Sequence, residues 1–519
     1  MLNNIPNGAE SLVYSLIASG VDTCFANPGT SEMHFVAALD RIPGIRCVLG
    51  LQENIVTGMA DGYYRIAEKP ACTLLHCGPG LANGIANLHN ARRARSGIVN
   101  IVGDHATYHR ALDAPLTSDI DAIARTVSDW VRSSARAADV GLDAATAVQV
   151  AGQTGGGIAT LVLPSDTSWD AGGGVADRLP TLEATPIDPF AVETAARCLR
   201  DHGSETLILV GARANMAKAL ELAHRVARHD GADVLSEYVC ARMERGRGRP
   251  QIRRVPYVND AAIKALSRYR RIILVGSRPP VAFFAYPGQA GFQAPEDTVF
   301  HTLCRPEQNS VAALTMLADA TGAPPVEIPD PGPRPDIVSG PPSQEGLART
   351  LAAVMPDNAI ISDESVSYGR DFHAFTHAAP AHDWLHLTGG AIGDGLPVAT
   401  GAAVAAGGAR RVIGLQADGS AMYSVQSLWT QARERLPVTT VILSNRRYNI
   451  LLGEYRSVGA VPGQTAMNML DLGNPVIDWP KLAESMGVEA AQATTLERCA
   501  DLMQQSFKSS APFLIELVI

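Results

Sequence analysis

Short apolar runs alternate with longer segments of helical period along the whole chain. In the first third the runs are "TCFANPG", "IRCVLGL", "ACTLLHC", "GIVNIVG" and "GIATLVLP". Each is rich in Val, Ile and Leu and is punctuated by Gly, Pro or Asn, as a buried strand is. Between them apolar positions recur every three to four residues, as at Ile55, Met59 and Tyr63, which predicts helices. The middle third repeats the rhythm with "TLILVG", a helix predicted over Met216–Arg228, "ADVLSEY" and "RRIILVG". The last third supplies "AIISDE", "RRVIGLQ", "TTVILSN" and "PFLIELVI". Strand–helix alternation of this kind predicts an α/β protein built of doubly wound parallel sheets.

Two interruptions divide the pattern. "ATPIDP" closes the first unit, and "GAPPVEIPDPGPRPDIVSGPPSQ" continues neither helix nor central strand. With 519 residues the chain exceeds one ordinary core. The predicted domains are 1–185, 186–325 and 345–519, with 326–344 as a Pro-rich linker. The segment "ARMERGRGRPQIRR" carries six arginines. It reads as a solvated loop, the alternative being a site for an anionic group such as a nucleotide or coenzyme A.

Composition narrows the class. Apolar residues make up 46% and charged residues 18%, a globular balance. The net charge of −9 argues against nucleic acid as a partner. Eight cysteines are scattered without a CxxC pair, so reduced thiols in a cytoplasmic protein are expected. No signal peptide and no membrane-spanning run is predicted.

The densest chemistry lies in "LQADGSAMYSVQSLWTQARERLPVTTVILSNRRYNIL". An apolar strand runs into Asp418–Gly419–Ser420, a helix follows, and a second strand ends at Asn445. Neighbouring parallel strands put their C-terminal ends side by side, the ligand edge of an open α/β sheet. A carboxylate, an amide oxygen and a backbone carbonyl are hard ligands suited to Mg²⁺. Gly419 lets a phosphate approach the backbone at a helix N-terminus.

This arrangement resembles the motif of thiamine-diphosphate-dependent enzymes, which begins GDG and ends NN. Here Ala417 and Ser444 replace the first Gly and the first Asn. Asp418 and Asn445 are retained, and the resemblance implies the backbone oxygen of Arg447 as third protein ligand, with Ser420 and Tyr448 beside the coenzyme. "FANPGTSEMHF", "LGLQENIVTGMADGYY", "LLHCGPGLANGIANL" and "ADGSAMYSVQSLWTQA" resemble benzoylformate decarboxylase within the acetolactate synthase and pyruvate oxidase group. That implies three domains in order: pyrimidine-binding, central and diphosphate-binding. It also implies a homodimer at minimum, typically a homotetramer, with active sites at the dimer interface.

The resemblance assigns further residues. A buried carboxylic acid beside the coenzyme's N1′ atom can hold and exchange a proton there, and Glu53, at the end of an apolar strand, takes that place. Gly390 offers its carbonyl to the 4′-amino group and Ile392 wedges beneath the coenzyme. Ser367, in "DESVSYG", is a diphosphate hydroxyl donor, whereas Val366 replaces a Thr. Thr30 falls on the family's active-site serine and His76 on one of its two active-site histidines, a proton carrier. His105 and His109 could line the same mouth. Phe283 stands near the position of the second histidine, and Ile450 and Glu454 fall in the phenyl pocket. Glu454 is a poor host for a bare phenyl ring, so a different 2-oxo acid is expected.

The implied function is a thiamine-diphosphate- and Mg²⁺-dependent 2-oxo acid decarboxylase or lyase whose cofactor-bound enamine is protonated or ligated. The alternative is an acetolactate-synthase-like carboligase. A non-catalytic cofactor-binding homologue is disfavoured by the retained Glu53, Asp418 and Asn445. FAD is not expected.

Overall fold

The computed structural model describes residues 5–519. The N-terminal sheet contains β1 (Thr23–Ala26), β2 (Arg46–Leu49), β3 (Ala71–Leu75), β4 (Ile98–Asp104), β5 (Trp130–Ser133) and β6 (Ile158–Pro164). Their order is β2-β1-β3-β4-β6-β5, and every pairing is parallel. The middle region contributes β7 (Thr206–Val210), β8 (Asp233–Ser236), β9 (Arg242–Arg245), β10 (Arg253–Arg254), β11 (Arg271–Val275) and β12 (Val299–Cys304). All but β9 form a second parallel sheet, ordered β10-β8-β7-β11-β12.

The third sheet contains β13 (Ile360–Glu364), β14 (His382–His386), β15 (Val412–Ala417), β16 (Val438–Ser444), β17 (Glu489–Ala493) and β18 (Phe513–Val518). Its order is β17-β18-β16-β15-β13-β14-β9. The double winding is visible in side-chain alternation. Ile208 and Val210 of β7 face one buried cluster with helix residues Leu220, Val226 and Leu314, whereas Leu207 and Leu209 face another with Ala262 and Leu266. A strand buried on both faces is a near-continuous apolar run, and β7 is one from Leu207 to Val210.

Contacts divide the chain into two compact units. One is the chain up to Glu183 with Thr388–Ala409 and Ser424–Val438; the other is Ala184–Leu387 with Arg410–Tyr423 and Thr439–Ile519. Thus two segments inside the predicted third domain pack with the first. The reason is a close helix contact between α1 (Glu53–Ala67) and α3 (Gly395–Ala406), with α2 (Cys77–Ala94) lying between them in sequence. A Cβ on Gly401 would lie 1.9 Å from the Met59 carbonyl oxygen, and one on Gly62 would lie 2.1 Å from that of Val398. Only glycine lets the two backbones approach so closely.

The arginine-rich segment 241–254 is the predicted solvated loop only in part: residues 246–252 form no strand and Arg247 is exposed, but the flanks are strands. Arg242–Arg245 forms β9, which pairs antiparallel with β14. Arg245 is 1% exposed. Its guanidinium donates to the Thr376 hydroxyl at 2.8 Å and to the His373 carbonyl, and stands 5.2 Å from the Trp384 ring centroid. Arg242 pairs with Asp383 at 2.8 Å. Strand formation satisfies the backbone, Asp383 pairs the Arg242 charge, and a hydroxyl, a carbonyl and an aromatic face hold that of Arg245, which composition alone does not reveal. The Pro-rich stretch 326–344 contains no strand, and a helix begins only at its last residue, Gln344. Among the described residues no helix is long and apolar enough to cross a membrane.

Candidate active site

In the first unit, Gln52 caps α1 by accepting the Asn54 N–H at 2.6 Å. Glu53 follows in the first turn, where the helix dipole favours a carboxylate. It is 8% exposed. Oε2 accepts from the Asn83 side-chain amide at 3.1 Å. Oε1 accepts no hydrogen bond from any described residue. A Cβ on Gly80 would lie 2.9 Å from Glu53 Oε1 and 3.3 Å from His76 Cβ, so both side chains converge on the first turn of α2. Asn83 was not foreseen; nothing in its sequence surroundings marks it.

His76 stands at the N-cap of α2. Its Nδ1 is 3.0 Å from Glu32 Oε2, and its ring occupies the space where a Cβ on Gly29 would fall, 2.1 Å away. Glu32 is buried and also accepts the Gly29 N–H at 2.8 Å and the Ser31 hydroxyl. A buried carboxylate on Nδ1 fixes the imidazole's orientation and leaves Nε2 to act. Sequence reasoning missed Glu32, although its place three residues after Gly29 in "NPGTSE" was readable. Thr30 is exposed, and its neighbour Ser31 is the hydroxyl that meets His76 (3.3 Å) and the Cys77 thiol (3.1 Å). Burial pushes the Cys77 thiol up to about 11, so it is neutral at physiological pH. His105 and His109 lie beyond the end of β4 with ring centroids 5.6 Å apart.

The segment carrying Gly390 and Ile392 is clamped by α2. The Asn90 side chain donates to the Ala391 carbonyl at 2.8 Å and accepts its N–H at 3.2 Å, and Asn87 donates to the Gly393 carbonyl at 3.2 Å. Gly390 has φ +79°, a conformation glycine adopts without strain. Ile392 is half-buried.

In the second unit, β15 ends at Ala417 and its neighbour β16 at Ser444. Asp418 and Asn445 therefore meet at one sheet edge. Asp418 is 3% exposed; Oδ1 accepts the Gly419 N–H at 2.8 Å and Oδ2 the Arg446 N–H at 2.6 Å. Burial pushes its pKa up against these backbone hydrogen bonds. No Lys or Arg side chain pairs with it among the described residues. The Asn445 side-chain oxygen accepts the Arg447 N–H at 3.0 Å, which brings the Arg447 backbone to the same turn. A Cβ on Gly419 would lie 2.5 Å from the Tyr448 ring, so Tyr448 lies against the Asp–Gly turn. Ser420 is buried and accepts from the Gln416 amide at 3.1 Å. Ser367 is half-buried and follows Val366, which has φ +51°.

Three of the expected pocket residues, Phe283, Ile450 and Glu454, belong to this unit, whereas His105 and His109 belong to the first. The Tyr257 ring packs 5.7 Å from Phe283 and 5.1 Å from Tyr238. Tyr286 donates to Glu454 at 3.0 Å. Ile450 and Glu454 both belong to α4 (Asn449–Ser457). Tyr257, Tyr286, Tyr238 and Arg370 were not foreseen, because the turns that assemble them are separated by up to about two hundred residues.

These residues fit thiamine diphosphate and a divalent cation. A buried carboxylate with backbone donors and no cationic side chain is suited to Mg²⁺, whose preferred ligands are the oxygens gathered here. Glu53 offers an unengaged oxygen at a buried helix terminus, as proton holding at N1′ requires.

Comparison with known proteins agrees with this chemistry. Residues 6–124 match the N-terminal TPP binding domain of thiamine pyrophosphate enzymes, and residues 366–517 match the C-terminal TPP binding domain. A Mycobacterium tuberculosis protein provisionally described as acetolactate synthase large subunit IlvX is 48% identical, over 99% of either chain. Benzoylformate decarboxylase from Pseudomonas aeruginosa is 28% identical, over 96% of either chain. The structure of a Rhodococcus jostii RHA1 thiamine diphosphate-dependent 4-hydroxybenzoylformate decarboxylase superposes with a TM-score of 0.82 at 25% identity, covering 98% of either chain. Fold and site define a cofactor-dependent α/β enzyme, and the chain belongs to the thiamine pyrophosphate enzyme family. It is related to both benzoylformate decarboxylase and acetolactate synthase.

Proposed function

We propose that the protein is a Mg²⁺-dependent 2-oxo acid decarboxylase of this family. The observation that carries the reading is the Glu32–His76 pair at 3.0 Å, a proton carrier at the N-terminus of α2, on whose first turn the Glu53 side chain also converges. Bound thiamine diphosphate supplies a carbon nucleophile that adds to a carbonyl group and stabilises the charge left when CO₂ departs. Glu53 holds a proton at N1′, and Asn83 fixes its carboxylate. Asp418, the Asn445 amide oxygen and the Arg447 carbonyl oxygen hold Mg²⁺ against the diphosphate, with Gly419, Ser420, Ser367 and Tyr448 around it. Gly390 and Ile392 orient the pyrimidine and thiazolium rings. His76 returns a proton after CO₂ loss, with Thr30, His105 and His109 at the mouth.

Carboligation is the second reading, favoured by the acetolactate synthase-like relative. Product analysis with pyruvate separates the two: acetaldehyde supports the decarboxylase, acetolactate the carboligase. CO₂ release from a panel of 2-oxo acids tests the main reading, which fails if the Mg²⁺- and coenzyme-loaded protein releases none. The proposal includes assembly as at least a homodimer, by resemblance a tetramer with sites at the dimer interface, checked by sedimentation. It needs no flavin, which a visible absorption spectrum checks. Cytoplasmic residence, expected from the cysteine pattern, belongs to the same proposal.

A further inference from the structure

Two guanidinium groups stand over adjacent tyrosine rings in the second unit. Arg370 lies 4.5 Å from the centroid of Tyr257, and Arg254 lies 5.3 Å from that of Tyr238. The two rings are 5.1 Å apart, so the four side chains form one surface. Arg370 is half-buried, three residues beyond Ser367. Its guanidinium hydrogen-bonds no group and pairs with no carboxylate among the described residues. The two neighbouring anions are already engaged: Glu454 accepts the Tyr286 hydroxyl at 3.0 Å, and the buried Asp363, which acts on Tyr238, accepts the Ser365 hydroxyl and the Trp384 N–H. Burial pushes Tyr257 up to about 12, which keeps its phenol a neutral donor. A planar guanidinium held on an aromatic face, with its N–H groups free, is suited to two-point binding of a carboxylate.

We infer that Arg370 selects a 2-oxo acid carrying a second carboxylate at the far end of its chain, with Tyr257 and Phe283 against the apolar stem. This rests on the 2-oxo acid reading above and deepens it. It also gives Glu454 a role: engaged by Tyr286, it faces a cationic surface rather than a bare phenyl group.

The test compares 2-oxoglutarate with 2-oxopentanoate, which has the same chain length and a terminal methyl group. Wild type should favour the dicarboxylate in kcat/KM. Arg370→Met should lower kcat/KM for 2-oxoglutarate by about 10- to 150-fold, the range of one hydrogen bond to a charged group, mostly through KM. It should leave 2-oxopentanoate within about twofold. Arg370→Lys should recover part of the loss. A wild-type preference for 2-oxopentanoate, or an equal loss on both substrates in Arg370→Met, would overturn the inference; equal loss means that Arg370 holds the reacting carboxylate or supports the fold. Calorimetry with glutarate, which has no 2-oxo group, reads the site without turnover. Glutarate should bind wild type and lose that binding in Arg370→Met. Absence of all decarboxylation with this binding intact would defeat the decarboxylase reading alone, and absence of glutarate binding would defeat the inference.

Discussion

Replacing Glu32 by Gln removes a charge and keeps the shape. The carboxylate accepts the Gly29 N–H at 2.8 Å, the His76 Nδ1 at 3.0 Å and the Ser31 hydroxyl. It is sealed against β4, where a Cβ on Gly103 would fall 1.7 Å from Oε1, so no water can take its place. A glutamine with its oxygen at the Oε2 position still accepts from Gly29 and His76, and the Ser31 hydroxyl can turn to accept from the new amide. What is lost at His76 is the charge assistance of its two Nδ1 contacts, 3.1 Å to Oε1 and 3.0 Å to Oε2, about 1 kcal/mol each. The net effect on a protonated His76 is about 2 kcal/mol, or roughly 30-fold in rate. Steady-state CO₂ release should show this loss in kcat, with KM and calorimetric coenzyme affinity nearly unchanged. In a His76→Ala background, the same substitution should cost almost nothing further. A kcat within twofold of wild type, or a full additional loss without His76, would show that Glu32 acts on the fold rather than through His76.

Other consequences follow from the same geometry. His76→Ala should lower kcat by about 10²-fold, the scale of a general acid–base group, while coenzyme affinity is retained; collapse of that affinity with normal saturated turnover would make His76 structural. Asp418→Ala should abolish Mg²⁺-dependent thiamine diphosphate binding with circular dichroism unchanged, and unaltered affinity by calorimetry would remove Asp418 from the metal site. Acid should destabilise the second unit. Burial, with the Arg245 charge adding to it, depresses His382 from 6.5 to about 3. Between those values the unfolded chain binds the extra proton, so stability is complete at neutral pH and falls as pH drops through about 6.5. At pH 4.5 the loss from His382 is on the order of 2–3 kcal/mol, and His382→Gln should show a smaller drop in urea midpoint between pH 7 and 4.5 than wild type. Equal drops would mean that His382 is not the titrating group.

The sequence was most legible where local pattern and chemistry coincide. Strands β1, β2, β3, β4, β6, β7, β8, β11, β13, β15, β16 and β18 contain the apolar runs quoted above, and each lies in one of the three sheets. Strands without an apolar run were not: β5, β14 and β17 carry polar residues such as Arg132, His382 and Gln492, because one face or edge meets other chemistry. β9 was hidden for the same reason, its arginines being held by partners far along the chain, Asp383 for Arg242 and Thr376 and His373 for Arg245. The candidate diphosphate site was legible because Asp418 and Asn445 end successive strands, so a local motif fixes their meeting. Glu32, Asn83 and Arg370 were missed because their significance lies in contacts across the fold: Glu32 to His76, Asn83 to Glu53, and Arg370 to Tyr257.

The central claim is that Glu53 governs activation of the coenzyme. Gln is nearly isosteric, so the Asn83 contact and packing in Glu53→Gln can survive, but Gln cannot hold and exchange a proton at N1′. The direct measurement is exchange of the thiazolium C2 proton of bound thiamine diphosphate for deuterium, followed by NMR after acid quench. Glu53→Gln should give folded, coenzyme-bound protein whose exchange is slower by at least about 10²-fold. Exchange at the wild-type rate in Glu53→Gln would reduce Glu53 to a carboxylate at a helix terminus and contradict the account at its first step.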